Sequence, residues 1–217
     1  GRFPKAETEN LTLEWFGMIP GKRESRRFEG PYILTQRDVI EQRRHHDAVS
    51  FGGWAIDLHP ADGVYSELPS CTQWHSRGVY QIPYRCMFSR NIKNLFLAGR
   101  IASVSHVAFG STRVMATCSN GGQAVAMAAM LCCKHNLLPA DIAQPDRARE
   151  LQRELLRIGQ YIPGVPLDDP DDLASKASIT ASSRFVLDNL PPNGKTEKLN
   201  RSRAMMFPVP AGPMPAI

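Results

Sequence analysis

The 217-residue sequence has no G-x-G-x-x-G turn, no C-x-x-C pair and no apolar run approaching a membrane span of roughly 20 residues. The first absence removes the usual glycine-rich cradle for a pyrophosphate. The second leaves no ligand spacing for zinc or an iron–sulfur cluster, so no metal site is expected. Cysteine is sparse and odd in number: Cys71, Cys86, Cys118, Cys132 and Cys133. An adjacent pair in an apolar stretch points to reduced core thiols rather than a disulfide framework. Charge of a single sign is lacking too. The formal net charge is +5, and bases alternate with acids in Arg23-Glu-Ser-Arg-Arg27 and again around Arg37, Asp38, Glu41 and Arg43. Such interspersion is the mark of a solvated face. No interleaved aromatics accompany it, so no nucleic-acid partner is expected.

What the sequence does contain is a short apolar run, Asn94-Leu-Phe-Leu-Ala-Gly-Arg100, followed by Gly110-Ser-Thr-Arg-Val-Met-Ala-Thr117. The first reads as a buried strand that ends where something approaches its backbone. The second reads as a helix start, with Ser111 and Thr112 as N-cap residues, and the helix is expected to run from about residue 111 to 136. Its first turn has no acid and carries Arg113. A helix N-terminus bears roughly half a positive charge and prefers acids. A capped, acid-free start therefore suits an anion from outside the chain, held on the amides of Arg113, Val114 and Met115.

Elsewhere, strands are expected over Leu11–Phe16, Asp47–Phe51 and Gly78–Tyr84, the last with Pro83 at an edge or bulge. Thr35 is a plausible N-cap for a short helix from Gln36, and an amphipathic helix is expected over 146–158 with Gly159 as its stop. Thr117, Gly121, Ala124 and Ala128 give the long helix a nearly flat face. Gly121 and Gly122 suggest close approach to another backbone. Beyond a polar linker, Ser183–Leu187 and Ala204–Val209 alternate weakly, as in two strands of a truncated β-sandwich or in a disordered tail.

Four blocks together resemble the FAD-dependent oxidoreductases of the glutathione-reductase-like FAD/NAD(P)-binding superfamily, in particular a family of polysaccharide-degrading bacteria. They are Arg23–Arg27, Gly52-Gly-Trp-Ala-Ile-Asp-Leu-His-Pro60, Ile82-Pro-Tyr-Arg85, and Asn94–Arg100 with Ser105–Met115. The resemblance implies an α/β flavoprotein with FAD as cofactor and a small-molecule substrate. It also implies a division of the chain. Residues 1–90 would be a mixed-β substrate domain capping the flavin, and 91–140 the return segment of the FAD-binding domain. Residues 141–178 would be a helix and linker, and 179–217 the start of a truncated β-rich domain. With no glycine-rich turn and no initial Met, the chain reads as a C-terminal fragment. Its N-terminal dinucleotide-binding half would lie upstream, and its compartment is unassigned.

The same resemblance supplies candidate residues. Ala98, Gly99, Arg100, Ser111, Thr112, Arg113, Val114 and Met115 would meet the cofactor. His106 would lie near the flavin face, either as the group taking a hydroxyl proton while hydride leaves the adjacent carbon or as a brace for its loop. His59, with Asp57 on its strand face to orient it, and Tyr84 are the other catalytic candidates. Arg23, Arg27 and Arg85 would bind substrate, although Arg23 and Arg27 could equally form a network with Glu24. Three functions remain open: hydride transfer between an organic substrate and flavin, an electron-transfer flavoprotein subunit working with a partner, and a non-catalytic binding module.

Overall fold

Among the described residues, two short antiparallel ribbons, rather than one sheet, carry the β structure. The strands are β1 (Ala48–Gly52), β2 (Ile56–Leu58), β3 (Thr72–Trp74) and β4 (Tyr80–Pro83); β1 pairs with β4, and β2 with β3. The computed structural model describes residues 5–19, 24, 26–183 and 194. It divides into one unit over residues 1–171 and a second over 172–217. Within the first unit, Ser50 lies opposite Ile82 and Gly52 opposite Tyr80, with a bulge between Ala48 and Ser50. Pro83 faces Ala48 at that bulge. Proline offers no N–H to the ladder, so the pairing ends there.

The helices are α1 (Lys5–Thr8), α2 (Gln36–Glu41), α3 (His106–Thr112), α4 (Met115–His135), α5 (Pro139–Ile142) and α6 (Pro145–Arg157). Helices α4 and α6 pack on β1. The buried face of α4 is Thr117, Gly121, Ala124, Ala128, Leu131 and Cys132, small residues apart from Leu131. On α6 the stripe of Ala148, Leu151 and Leu155 is fully buried, and Gly159 follows in the left-handed conformation (φ 85°) that stops the helix. Among the described residues no third strand satisfies the outer edge of β1; side-chain amides do. Gln152 Nε2 donates to the carbonyls of His46 (2.8 Å) and Ala48 (2.9 Å), and Gln160 Nε2 to that of Val49 (2.6 Å).

Several expectations are corrected. Residues 11–16 form no strand, and Leu11, Leu13, Trp15 and Phe16 are exposed. The single helix expected over 111–136 is two. Ser105, whose Oγ accepts from the Ala108 amide at 3.3 Å, starts α3 earlier. A break follows at Val114 (ψ 150°), between the β-branched Thr112 and the start of α4. Neither mid-helix glycine answers to a neighbouring backbone. A Cβ at Gly121 would meet only Met87 Cε at 3.4 Å, and one at Gly122 would meet nothing within 4 Å. The expected strand over 94–99 does not form: Asn94 lies in a turn and Gly99 opens a 3-10 turn, while Leu97 between them is buried with its amide on Met87 O (2.8 Å). This stretch is tied to the 87–89 segment by that bond, by the Ser89 amide on Leu95 O (2.9 Å) and by the isolated Phe88–Phe96 bridge, without becoming a strand of either ribbon. The two tail strands lie outside the described residues, apart from Ser183.

Two buried carboxylates fasten the ribbons to the loops around them. Asp47 accepts two bonds from the Arg85 guanidinium (2.9 and 3.0 Å) and one from the Arg85 amide (3.0 Å). Asp38 closes α2 at its start, accepting from Tyr32 Oη (2.6 Å), the Thr35 amide (2.7 Å) and the Thr35 hydroxyl (2.8 Å). Burial alone would push the Asp38 carboxyl up, but the Tyr32 and Thr35 hydrogen bonds outweigh it and hold it below its ordinary 3.8. The folded group thus releases its proton more readily than the unfolded one. The stability it contributes is fully present above the unfolded value and lost as pH falls through the depressed folded value. The urea midpoint is therefore expected to fall below about pH 4 more steeply in the native protein than in Asp38→Asn. That variant should be the less stable of the two at neutral pH.

Candidate active site

Helix α3 crosses β2 with Gly110 at the point of contact. A Cβ there would stand 2.9 Å from Asp57 O, 3.0 Å from Leu58 Cδ2 and 3.2 Å from Asp57 N, so only glycine allows the approach. Residues three, four and seven positions apart share a helix face. His106, Phe109, Gly110 and Arg113 accordingly line one cavity of about 270 Å³, opposite Asp57, Leu58 and His59 of the β2 segment and closed by Glu24.

Two linked clusters populate this cavity. Arg113 Nη2 lies 2.9 Å from Asp57 Oδ2 and 3.0 Å from His59 Nε2. His59 Nδ1 is 2.8 Å from the Ser70 carbonyl, which can only accept. The proton is therefore assigned to Nδ1, and the Nε2 lone pair receives the guanidinium N–H. The ring is held by Ser70 and Arg113. Asp57, 3.7 Å from Nε2, does not orient it directly. In the second cluster His106 Nδ1 is 2.8 Å from Glu24 Oε1 and donates to it. Glu24 is gripped in turn by Arg27, whose other nitrogen donates to Val104 O (3.1 Å) and whose guanidinium sits over the Phe109 ring. The Nε2 of His106 has no partner among the described residues, and its side chain is exposed.

A second feature lies at the start of α4, two residues beyond Arg113, and on the turn that packs against that helix. Ala98 is extended, Gly99 is left-handed (φ 64°), and a 3-10 turn over Gly99–Ile101 packs on α4. The side of Gly99 where a Cβ would stand is open, the nearest atom being Cys118 Cβ at 4.0 Å. Arg100 is exposed and has no acidic partner among the described residues. Helix α4 begins at Met115 behind Val114, which provides no side-chain cap, and no acid occupies its first turn. The first amides of a helix have no acceptor within it. Those of Met115, Ala116 and Thr117 are therefore the donors at this end. The Arg113 amide is not one of them, because it bonds Phe109 O at 3.1 Å inside α3. An uncapped 21-residue helix beside an open left-handed glycine suits an electron-rich or anionic group from outside these residues.

A protein-family model described as FAD dependent oxidoreductase matches residues 2–155. The chain belongs to that family. Its cofactor is FAD and its chemistry is a flavin-linked redox reaction; its helices and small sheets fit the α/β class. No curated protein and no solved structure matches the chain. No helix among the described residues is long and apolar enough to cross a membrane.

For a member of this family, the sequence candidates divide. His59, His106 and Arg113 converge on one cavity, and Ala98, Gly99, Val114 and Met115 flank the free helix end. Others go elsewhere. Ser111 is fully buried in α3, accepting from Tyr80 Oη (2.7 Å) and donating to Trp54 O (2.5 Å), so it neither caps a helix nor faces a ligand. Thr112 ends α3 with its carbonyl near Cys118 Sγ. Tyr84 is also fully buried, its hydroxyl donating to Pro139 O (2.8 Å), and burial drives its pKa far upward. It lies in the core and not on the pocket. Arg85 is committed to Asp47 and to the face of Tyr32. Arg23 lies outside the described residues. Missing from the expected set were Glu24 as the partner of His106, Asp57 as the partner of Arg113, and Gly110. Had the helix been started at Ser105, the spacing of His106, Phe109, Gly110 and Arg113 would have placed them together.

Replacing Gly110 by Ala gains about 1 kcal/mol of helix propensity but forces a methyl against the β2 backbone, which cannot rotate away as a side chain would. Overpacking of this kind costs about 1–3 kcal/mol, and Gly110→Ala is expected to unfold at lower urea concentration than the native protein. An unchanged or raised midpoint would show that α3 does not need this approach.

Proposed function

We propose that the chain is the C-terminal part of an FAD-dependent oxidoreductase that moves a hydride between flavin and an organic substrate, a sugar or another polyhydroxy compound. The reading is carried by the uncapped, acid-free start of α4 beside the open face of Gly99, next to a cavity holding His106. Residues 1–90 would form the substrate side and 91–140 the return segment of the cofactor domain. The stretch 141–178 would be the helix and linker that follow it.

FAD, when bound, supplies the two-electron acceptor that side chains lack. The chain's own residues bind and orient. The amides of Met115, Ala116 and Thr117 hold developing negative charge at fixed positions without reorganisation. Ala98 and Gly99 let the backbone come close, and Arg100 offers an unpaired cation to a phosphate. In the cavity His106 takes the hydroxyl proton on Nε2 as hydride leaves the adjacent carbon. Glu24 keeps the ring in the tautomer with Nδ1 protonated, and Arg27 keeps Glu24 in place. His59 is the poorer base because its Nε2 lone pair already receives a proton-bearing Arg113 nitrogen. It steadies Arg113 instead.

The test is anaerobic reduction of the flavin-loaded full-length protein by a panel of sugars and polyols, followed through loss of the yellow colour. His106→Gln is expected to slow substrate-driven bleaching by roughly 10²–10⁴-fold while leaving reduction by dithionite intact. Equal rates in native and variant protein would remove His106 from proton transfer and favour an electron-relay role for the flavin.

A further inference from the structure

Strand β2 separates two unlike cavities. Successive side chains of a strand point to opposite faces. Asp57, with His59 just beyond the strand, belongs to the polar cavity described above. Ile56 lines a different one of about 320 Å³, and Leu58 borders both. Helix α3 repeats the division, with His106 on the polar side and Val107 on the other. The second cavity has a buried apolar floor in Val39 and Ile56. Trp74 and Ile40 form its walls, 54% and 41% exposed, and His75 and Arg77 stand at its rim.

We propose that this cavity is a second small-ligand site, taking an apolar ring that bears a carboxylate. Its volume falls within the range of about 300–1,000 Å³ typical of small-molecule pockets, which combine mostly apolar lining with a few polar groups. The half-exposed Trp74 indole offers a flat face on which a ring stacks. Charge selects the anion. No acid lines the cavity among the described residues, and Arg77 is exposed with no acidic partner among them. A guanidinium grips a carboxylate through two parallel N–H donors. None of these groups takes part in the flavin chemistry proposed above, so the inference stands or falls apart from it.

The probes are 2-naphthoate and its neutral analogue 2-naphthylmethanol, titrated into the whole chain by calorimetry and followed in the indole N–H signals by NMR. Naphthoate is expected to bind about tenfold more tightly than the alcohol and to shift the Trp74 signal, identified by its loss in Trp74→Ala. Arg77→Gln, a surface change that should leave the fold intact, should bring naphthoate down to the affinity of the alcohol and leave the alcohol unchanged. Trp74→Ala should weaken both. Equal affinities in the native protein, no response to Arg77→Gln, no binding of either probe, or shifts confined to the His106 cavity would each overturn the assignment.

Discussion

The contact of helix α3 with the backbone of β2 at Gly110 is the constraint from which the site follows. With no side chain between them, the helix lies close enough for Arg113 to reach both Asp57 and His59 on the strand side. One turn earlier the same face brings His106 to Glu24. A polar chain from Tyr80 through Ser111 to Trp54 O pins the buried side of the helix, so α3 is held from both flanks. Without Arg113 the largely buried Asp57 carboxylate would stand uncompensated. Close packing and ion pairing therefore support one another rather than adding as separate increments.

Around this core the chain meets its backbone hydrogen-bonding needs with little regular sheet. The glutamine amides of α6 and its C-terminal loop occupy the edge that another strand would fill against β1, and Gln81 bridges the His45 amide and Pro163 O on the β4 side. Asp38 and Asp47 perform the same service for loops, each collecting several donors at once. These are charged or polar groups in dry surroundings. They hold a single arrangement because any other would strand them without partners.

Local rules written into a few residues were legible in the sequence. Thr35 marked the start of α2, Gly159 marked the end of α6, and Thr117, Gly121, Ala124 and Ala128 marked the buried face of α4. The convergence of His59, His106 and Arg113 was not legible, because it depends on a long-range contact at one glycine. The boundary between α3 and α4 was misplaced for a related reason. Ser111 and Thr112 are good capping residues by type, yet Ser105 caps first and the polar groups of Ser111 are spent on Tyr80 and Trp54. Tyr84 and Arg85 looked like pocket residues for their chemistry, while burial and Asp47 claim them for the core. The long apolar segment from Leu11 to Ile19, expected in part to be a strand, pairs with no strand among the described residues.

The alternation along β2 has a consequence for how such a protein can change. Position 56 tunes the oily chamber and positions 57 and 59 the wet one, while Leu58 borders both. Substitution at 56, 57 or 59 adjusts one compartment and substitution at 58 reaches both, whereas inserting or deleting a single residue in the strand would turn every one of these side chains to the opposite face at a stroke.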